Sequence, residues 1–465
     1  MNRSIRVSIS GFIFLCVYLV IGFFLLLETS YSSFSQNESE LYGILLVAYF
    51  IVVGLVVFAN LEFRVYLFEP FTIISILYIG IFVYRPIQDI FNHAVEYGGV
   101  NLTSEGFKAT TIFIMGYISF FLGYFCKKSR RTTDEKWIKD NQNFSVMGLI
   151  IMWCVFYILC ILSTLSSGFS LRYIFSLGSE GERVVREGNT ALLFLSNFAT
   201  SLLVVWLMIL CKSRSAVLKI LLTVLTLIYL IVRNARWLIL IMALEPIVYT
   251  YSKKKKSPNL LTVSILGVSA LTLFAWMQMN RYNIATGQEM QLFSDNGGLT
   301  LELLLSPFDS DLTTYTTFYG MTQNYPNAHP YMLGKTFFYV FVLFIPRALW
   351  KAKPDNPVRD MVENSLGSLA KSNGRAVANI GEMYANFGVI GVLVLMFFFG
   401  YTTSKLKQLY ENPTENKLFI YSFLYPMMFQ WVARGNFSGN FYYTLFAFVP
   451  FIIQWFFKGF MRRKC

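Results

Sequence analysis

Residues 42–61 read YGILLVAYFIVVGLVVFANL, twenty positions without a charged side chain. Wound as a helix rising about 1.5 Å per residue, such a run crosses the roughly 30 Å hydrocarbon core of a bilayer. The same reading recurs before it at 8–27 and after it at 70–84, 107–126, 145–165, 191–211, 216–232, 237–251, 258–279, 380–400, 418–433 and 440–457. Residues of the AVILMFWYC set make up 55% of the 465-residue chain and charged ones 14%, too little polar surface for a soluble domain of this size. The aromatic share of 18% suits rings seated at lipid headgroups. The expected fold is therefore all-α, a polytopic integral membrane protein of about twelve transmembrane helices. Disordered chains, secreted disulfide scaffolds and soluble nucleic-acid binders are excluded. The run at 8–27 is too long for a signal peptide and no A-x-A site follows it, so it reads as an anchor.

Lysine and arginine set the orientation, because basic loops stay in the cytoplasm. Placing the amino terminus inside puts Arg3, Arg6, Arg64, the basic stretch 127–139, Lys212, Arg214, Lys253–Lys256, Lys405, Lys407, Lys417 and the basic tail from Lys458 on one side. All twelve runs then alternate without conflict, and an even number leaves both termini cytoplasmic. The formal net charge of +13 is explained by this orientation, so no nucleic acid is needed as a partner. Lysine dominates inside, whereas arginine dominates outside, where Arg85, Arg233, Arg236, Arg281 and Arg434 stand at span ends. One such arginine is explained by snorkelling to headgroups. As a set on one face they suggest a site for an anionic group, since the guanidinium fork matches phosphate or carboxylate bidentately.

The spans divide the chain into nine helices over 1–279, a large external loop over 280–379, and three helices over 380–465. Long loops in membrane proteins are functional or folded lids. Within this one, Lys335–Pro346 (KTFFYVFVLFIP) is too short to span and reads as an interfacial segment. Behind it come Arg347, Lys351, Lys353 and Arg359, an arrangement that suits either a lipid-borne pyrophosphate or an anionic-lipid patch. Tyr315, Phe318, Tyr319, Tyr325 and Tyr331 with Gln323, Asn324 and Asn327 supply the rings and amides that a sugar needs, as would any folded loop.

Metal chemistry finds little support. Asp309-Ser-Asp311 has D-x-D spacing, but the topology places it outside, away from nucleotide sugars, and Asp311 also suits a helix start. No C-x-x-C occurs among the six cysteines, so neither a zinc knuckle nor a cofactor is expected. His329 and His93 are the two histidines, and His329 is a candidate general base. Well within the spans, Lys219 and Glu245 are the clear ionisable residues, the first placed to snorkel and the second to pair with a neighbouring helix. Charge this thin argues against an ion-coupled transporter.

The stretch IPRALWKAKPDNP from Ile345 and the stretch NIGEMYANFGVIG over 379–391 carry a resemblance. Together with the arginine turn Arg233-Asn-Ala-Arg236, they resemble the oligosaccharide repeat-unit polymerases of the Wzy type that build O-antigen and capsule. One departure is that no arginine here is followed by glycine at the spacing of the family's R-x₁₀-G motif. The resemblance implies a bacterial inner-membrane glycosyltransferase that joins repeat units carried on undecaprenyl diphosphate at the outer face of the membrane. It also implies a chain-length regulator and a flippase as partners. The alternatives are a flippase or exporter of lipid-linked oligosaccharides, or an O-antigen ligase. A flippase predicts an internal repeat, and none is visible.

The residues support that chemistry. A departing diphosphate needs fixed cations, for which Arg347, Arg236, Arg281, Arg434 and Lys353 are the candidates. The acceptor hydroxyl needs a base, for which Glu382 stands at a span entrance; a helix-start acid would look the same. Tyr384, Asn386 and Tyr319 are the expected sugar contacts. Gly381, Gly388 and Gly391 read as close-packing positions on one helix face.

Overall fold

The run at 42–61 lies within helix α1, Gln36–Phe63. In the computed structural model the described residues are 34–63, 65–94, 96–126, 145–166, 194–233, 235–254, 312–343, 350–367, 376–411 and 414–462. The isolated positions Ser269, Thr272, Ala275, Trp276, Asn280 and Ile345 are also described. Six helices among them are long and apolar enough to cross a membrane, by length and composition. They are α1, α2 (Pro70–Phe91), α3 (Leu102–Phe125), α4 (Val146–Ser166), the helix over Phe194–Lys212 whose regular part is α5 (Phe198–Lys212), and α11 (Asn379–Glu411). The run at 216–232 forms the shorter apolar helix α6, Ala216–Val232. Those at 237–251, 418–433 and 440–457 form α7 (Arg236–Lys254), α12 (Glu415–Phe429) and α13 (Phe437–Arg462). Each of these three contains an internal proline, at 246, 426 and 450. The run at 8–27 and nearly all of that at 258–279 lie outside the described residues.

Local chemistry explains where the helices start. Pro70 opens α2 at the position where a missing N–H costs nothing. Asn101 caps α3 by accepting from Thr103 N at 3.1 Å and Ser104 N at 3.0 Å. Ser215 and Thr414 do the same for α6 and α12. Among the described residues, the one pair of strands is a hairpin of β1 (Glu96–Tyr97) and β2 (Val100–Asn101). It turns through Gly98 and Gly99, both at positive φ, and delivers Asn101 to its cap.

The apolar interior has two parts. One gathers α1, α2, α3 and α11; the other gathers α4 to α7 with α12 and α13. The closest approach is between α3 and α11. A Cβ on Gly123 would lie 2.0 Å from the Phe397 carbonyl oxygen, and one on Gly400 would lie 2.1 Å from that of Phe120. Only glycine lets the two backbones meet there, the packing mode on which helices in lipid depend.

Three further helices come from the segment between Asn280 and Asn379: α8 (Thr314–Asn324), α9 (Lys335–Leu343) and α10 (Pro357–Leu366). Its middle part does not stand apart as a lid. Every residue of α8 from Thr314 to Thr322 is buried, against α3, α10 and α11. In α9, Thr336, Tyr339 and Val340 are buried while Phe338 and Phe341 are 67% and 70% exposed. α9 therefore has one buried and one exposed side.

Candidate functional site

The first turns of α11 carry the stretch NIGEMYANFG. Asn379 anchors it, its amide donating to the Tyr78 hydroxyl of α2 at 2.9 Å. Nine residues on, Gly388 adopts φ 65° and ψ −156°, a region that essentially only glycine occupies, and the helix breaks there. The break frees carbonyls that a continuous helix would use. Those of Ala385 and Asn386 accept instead from Met332 N at 3.0 Å and Leu333 N at 3.1 Å. Asn386 completes the join. Its Oδ1 accepts from Gly334 N at 2.9 Å, and its Nδ2 donates to Thr336 Oγ1 at 2.8 Å and to the Glu382 carbonyl at 2.7 Å. The segment 332–336 is thereby strapped to the outside of the break. Gly388, expected as a helix-packing position, is the break itself, with the Tyr331 hydroxyl 2.8 Å from where a Cβ would lie.

Glu382 is 2% exposed, and both of its carboxylate oxygens accept from Phe437 N, at 2.9 and 3.2 Å. Phe437 opens α13, so the carboxylate sits on the positive end of that helix. The turn just before it is equally constrained. Gly435 and Asn436 both have positive φ, and a Cβ on Gly435 would strike the Val377 carbonyl oxygen at 2.1 Å. Asn440 donates to the carbonyls of Gln430, at 3.0 Å, and Gly435. Arg434, last residue of the wide turn Gln430–Arg434 that extends α12, is held in place by this lattice.

Other arginines arrive nearby. Arg233, at the end of α6, and Arg434 both act electrostatically on the Tyr443 hydroxyl in α13. Trp237, next to Arg236, packs on the Tyr443 ring with centroids 4.7 Å apart. The ends of α6 and α12 therefore bring Arg233 and Arg434 toward Tyr443 of α13, and the start of α7 brings Trp237 there. Lys353 is engaged differently. Its ammonium donates to the carbonyls of Leu343 at 3.2 Å and Ile345 at 2.9 Å, at the end of α9. Arg347 itself, Arg281, Arg375, Asp309 and Asp311 lie outside the described residues.

The aromatic candidates are interior. The Tyr384 hydroxyl donates to the Tyr325 carbonyl at 3.3 Å, and its ring stands edge-on to Tyr331 at 6.2 Å. Tyr319, 1% exposed, pairs its hydroxyl with that of Thr110 at 3.2 Å, inside the bundle rather than on a binding surface. Glu382, Tyr384, Asn386, Arg236 and Arg434 thus share one end of the helices, and Lys353 holds a clasp beside α9.

Sequence reading missed a second polar knot at this end. Asp89 accepts from Arg85 Nε at 3.2 Å, pairs with its terminal nitrogen at 3.0 Å, and receives the Tyr315 hydroxyl. Burial and the Asp89 carboxylate hold the Tyr315 phenol well above its usual range, so it remains a donor. The i,i+4 spacing of Arg85 and Asp89 was the available signal. Glu245 lies fully buried in α7, and neither of its oxygens has a partner among the described residues, so the expected pairing is not seen there. No three of His, Cys, Asp and Glu come together as a metal-ligand set among the described residues.

These features define a polytopic helical membrane protein with a dense, hydrogen-bonded polar cluster at one end of its helices. A family model described as O-antigen polysaccharide polymerase Wzy matches residues 10–464, and the chain belongs to that family. It is an O-antigen repeat-unit polymerase, a membrane protein with a polymerising glycosyl-transfer activity on lipid-linked oligosaccharide repeat units. The chain matched no curated protein and no solved structure.

Proposed function

We propose that this polymerase joins units carried on undecaprenyl diphosphate at the outer face of the bacterial cytoplasmic membrane, with both termini in the cytoplasm. The growing chain on one carrier is the donor, and the non-reducing end of a new unit is the acceptor. An acceptor hydroxyl oxygen attacks the anomeric carbon of the donor. The bond from that carbon to the diphosphate oxygen breaks, and the diphosphate leaves with the electron pair. A flippase supplies the units and a chain-length regulator limits the product.

The observation that carries this reading is the approach of Arg233 and Arg434 to Tyr443 of α13, on whose ring Trp237, the neighbour of Arg236, packs. Fixed guanidinium groups stabilise a departing diphosphate with no reorganisation at the moment of reaction. In this reading Arg281 and Arg347 complete the cation set together with Lys353, whose ammonium also donates to the Leu343 and Ile345 carbonyls. Tyr384 and Asn386 shape the sugar side through Tyr331 and the 332–336 strap, and Tyr319 supports them from the interior.

Glu382 is a positioning residue in this account. Its carboxylate is engaged by the Phe437 N–H through both oxygens, which fixes the turn behind Arg434. Gene replacement with a gel readout of polysaccharide length tests the whole. Arg434→Ala lowers polymerisation by about 10²- to 10³-fold, the usual loss for one fixed electrostatic donor. Glu382→Gln, whose amide oxygen still accepts from Phe437, keeps polymerising, whereas Glu382→Leu loses about 10²-fold through misplacement. Equal losses in the two Glu382 variants would make it the base instead.

A further inference from the structure

Phe387 and Gly391, in the stretch NFGVIG of α11, have no part in the proposed chemistry, yet their geometry is specific. The break at Gly388 brings the Phe387 side chain over Gly391, where an added Cβ would lie 2.3 Å from the Phe387 Cβ. An unbroken helix keeps Cβ atoms four residues apart at about 5–6 Å. Opposite, Gly334 at φ 86° lets the strap run under the same ring. A Cβ there would lie 3.1 Å from Phe387 Cζ and 3.4 Å from Phe338 Cε2. Two glycines therefore hold the Phe387 ring, 41% exposed, between α11 and the start of α9.

From that ring a chain of ring contacts runs inward. Phe337 stacks on Phe387, nearly parallel with centroids 6.2 Å apart, and meets Phe437 edge-on at 5.0 Å. Phe437, whose N–H binds Glu382, meets Trp431 at 5.6 Å, and Trp431 lies in the wide turn that ends at Arg434. Outward the surface is apolar and open. Phe338, which shares Gly334 with Phe387, is exposed, and so is Ile390, one turn further along α11. Lys335 stands exposed at the start of α9, and Lys353, one of the diphosphate cations, binds its last carbonyl. Any surface facing lipid must be apolar, but an acyl chain needs neither a ring fixed by two glycines nor contacts that lead to Arg434. A lipid-linked unit uses both, because its polyprenyl chain is bonded directly to the diphosphate.

We propose, resting on the polymerase reading, that Phe387, Phe338 and Ile390 seat the polyprenyl chain of the lipid-linked unit at the isoprene groups next to its diphosphate. The methyl-branched alkene chain packs on the fixed ring by dispersion. Its diphosphate then lies on the inner side of the ring chain, toward Arg434. The seat binds and orients the substrate, and no bond changes there.

The test uses full-length protein in liposomes and undecaprenyl diphosphate carrying a diazirine in the isoprene group next to the diphosphate. Irradiation labels 333–341 and 387–390. An excess of unlabelled undecaprenyl diphosphate removes that label, and the same excess of phosphatidylglycerol does not. Phe387→Ala weakens the label and raises the half-saturating concentration of the lipid-linked unit in chain growth, each about tenfold, the size expected for one lost apolar contact. Its maximum rate and melting temperature stay unchanged. Phe398→Ala, exposed on the same helix beyond the ring chain, changes neither. Label spread equally over 394–398, label that resists the competitor, or a wild-type half-saturating concentration in Phe387→Ala overturns the proposal. If Phe387→Ala is recovered in poor yield, Phe338→Ala decides, because its side chain points outward. Weaker label in that variant upholds the seat, and unchanged label overturns it. Absence of a ladder from wild type counts against the polymerase reading itself, whereas a ladder without label at the seat overturns this proposal alone.

Discussion

The two ends of the same helices handle charge in opposite ways. Where α1 ends and α2 begins, Glu69 is fully buried. It receives Lys407 Nζ at 3.0 Å, the Tyr124 hydroxyl at 3.4 Å and Tyr66 N at 3.2 Å. Tyr421 and Tyr425 close the surrounding loop by donating to the carbonyls of Phe68 and Leu67. Burial pushes the Glu69 carboxyl above its usual range, and Lys407 opposes that shift. At the other end, Glu382 meets only backbone and hydroxyl partners, and Arg233 and Arg434 act on Tyr443 of α13. The first end is a closed electrostatic clamp. The second leaves room for charge that arrives with a substrate, and that is where the chemistry is placed.

Breaking the clamp carries the largest cost. Lys407→Met leaves a buried carboxylate without its cation and destabilises the protein by about 3–5 kcal/mol, measured as denaturant unfolding in detergent. Glu69→Gln costs less, because it also removes the charge that burial disfavours. Equal costs for the two variants would show that the pair is not a clamp. Next comes the break in α11. Gly388→Ala forces a side chain into a glycine-only conformation at about 1–3 kcal/mol and loosens the 332–336 strap. Faster hydrogen exchange at Met332 and Leu333 reads that loosening, and an unchanged rate would separate the strap from the break. The smallest stability effect belongs to the clasp. Lys353→Met removes hydrogen bonds worth about 0.5–1.5 kcal/mol each. Its activity should fall further than its stability if Lys353 also serves the diphosphate. If arginines rather than a metal hold the diphosphate, as proposed, chelation with EDTA leaves the ladder unchanged, and loss of the ladder would contradict that assignment.

Much of the fold was legible because its determinant is local. Twenty apolar residues in a row leave a helix no better solvent than lipid, and proline and Asn101, Ser215 or Thr414 mark its starts. The interior placement of α8 was not legible. Its sequence TYTTFYGMTQN is modestly apolar, and its burial depends on Thr110, Asp89 and Ser365, which lie far away in the chain. The same holds for the candidate site. The stretch GEMYANFG stood out as chemistry, yet Gly388 bends the backbone, Asn386 binds a strap and Glu382 caps another helix. Those partners sit between 40 and 60 positions away, beyond any local pattern.

The most direct test of the account is chain growth by purified protein in liposomes, comparing wild type with Arg434→Ala and Arg434→Lys on the undecaprenyl-diphosphate-linked unit. The account predicts a ladder from wild type, a loss of about 10²- to 10³-fold in Arg434→Ala, and partial recovery with lysine, which keeps the charge but not the fork. A full ladder from Arg434→Ala, or a wild-type protein that binds the unit without lengthening it, would contradict it.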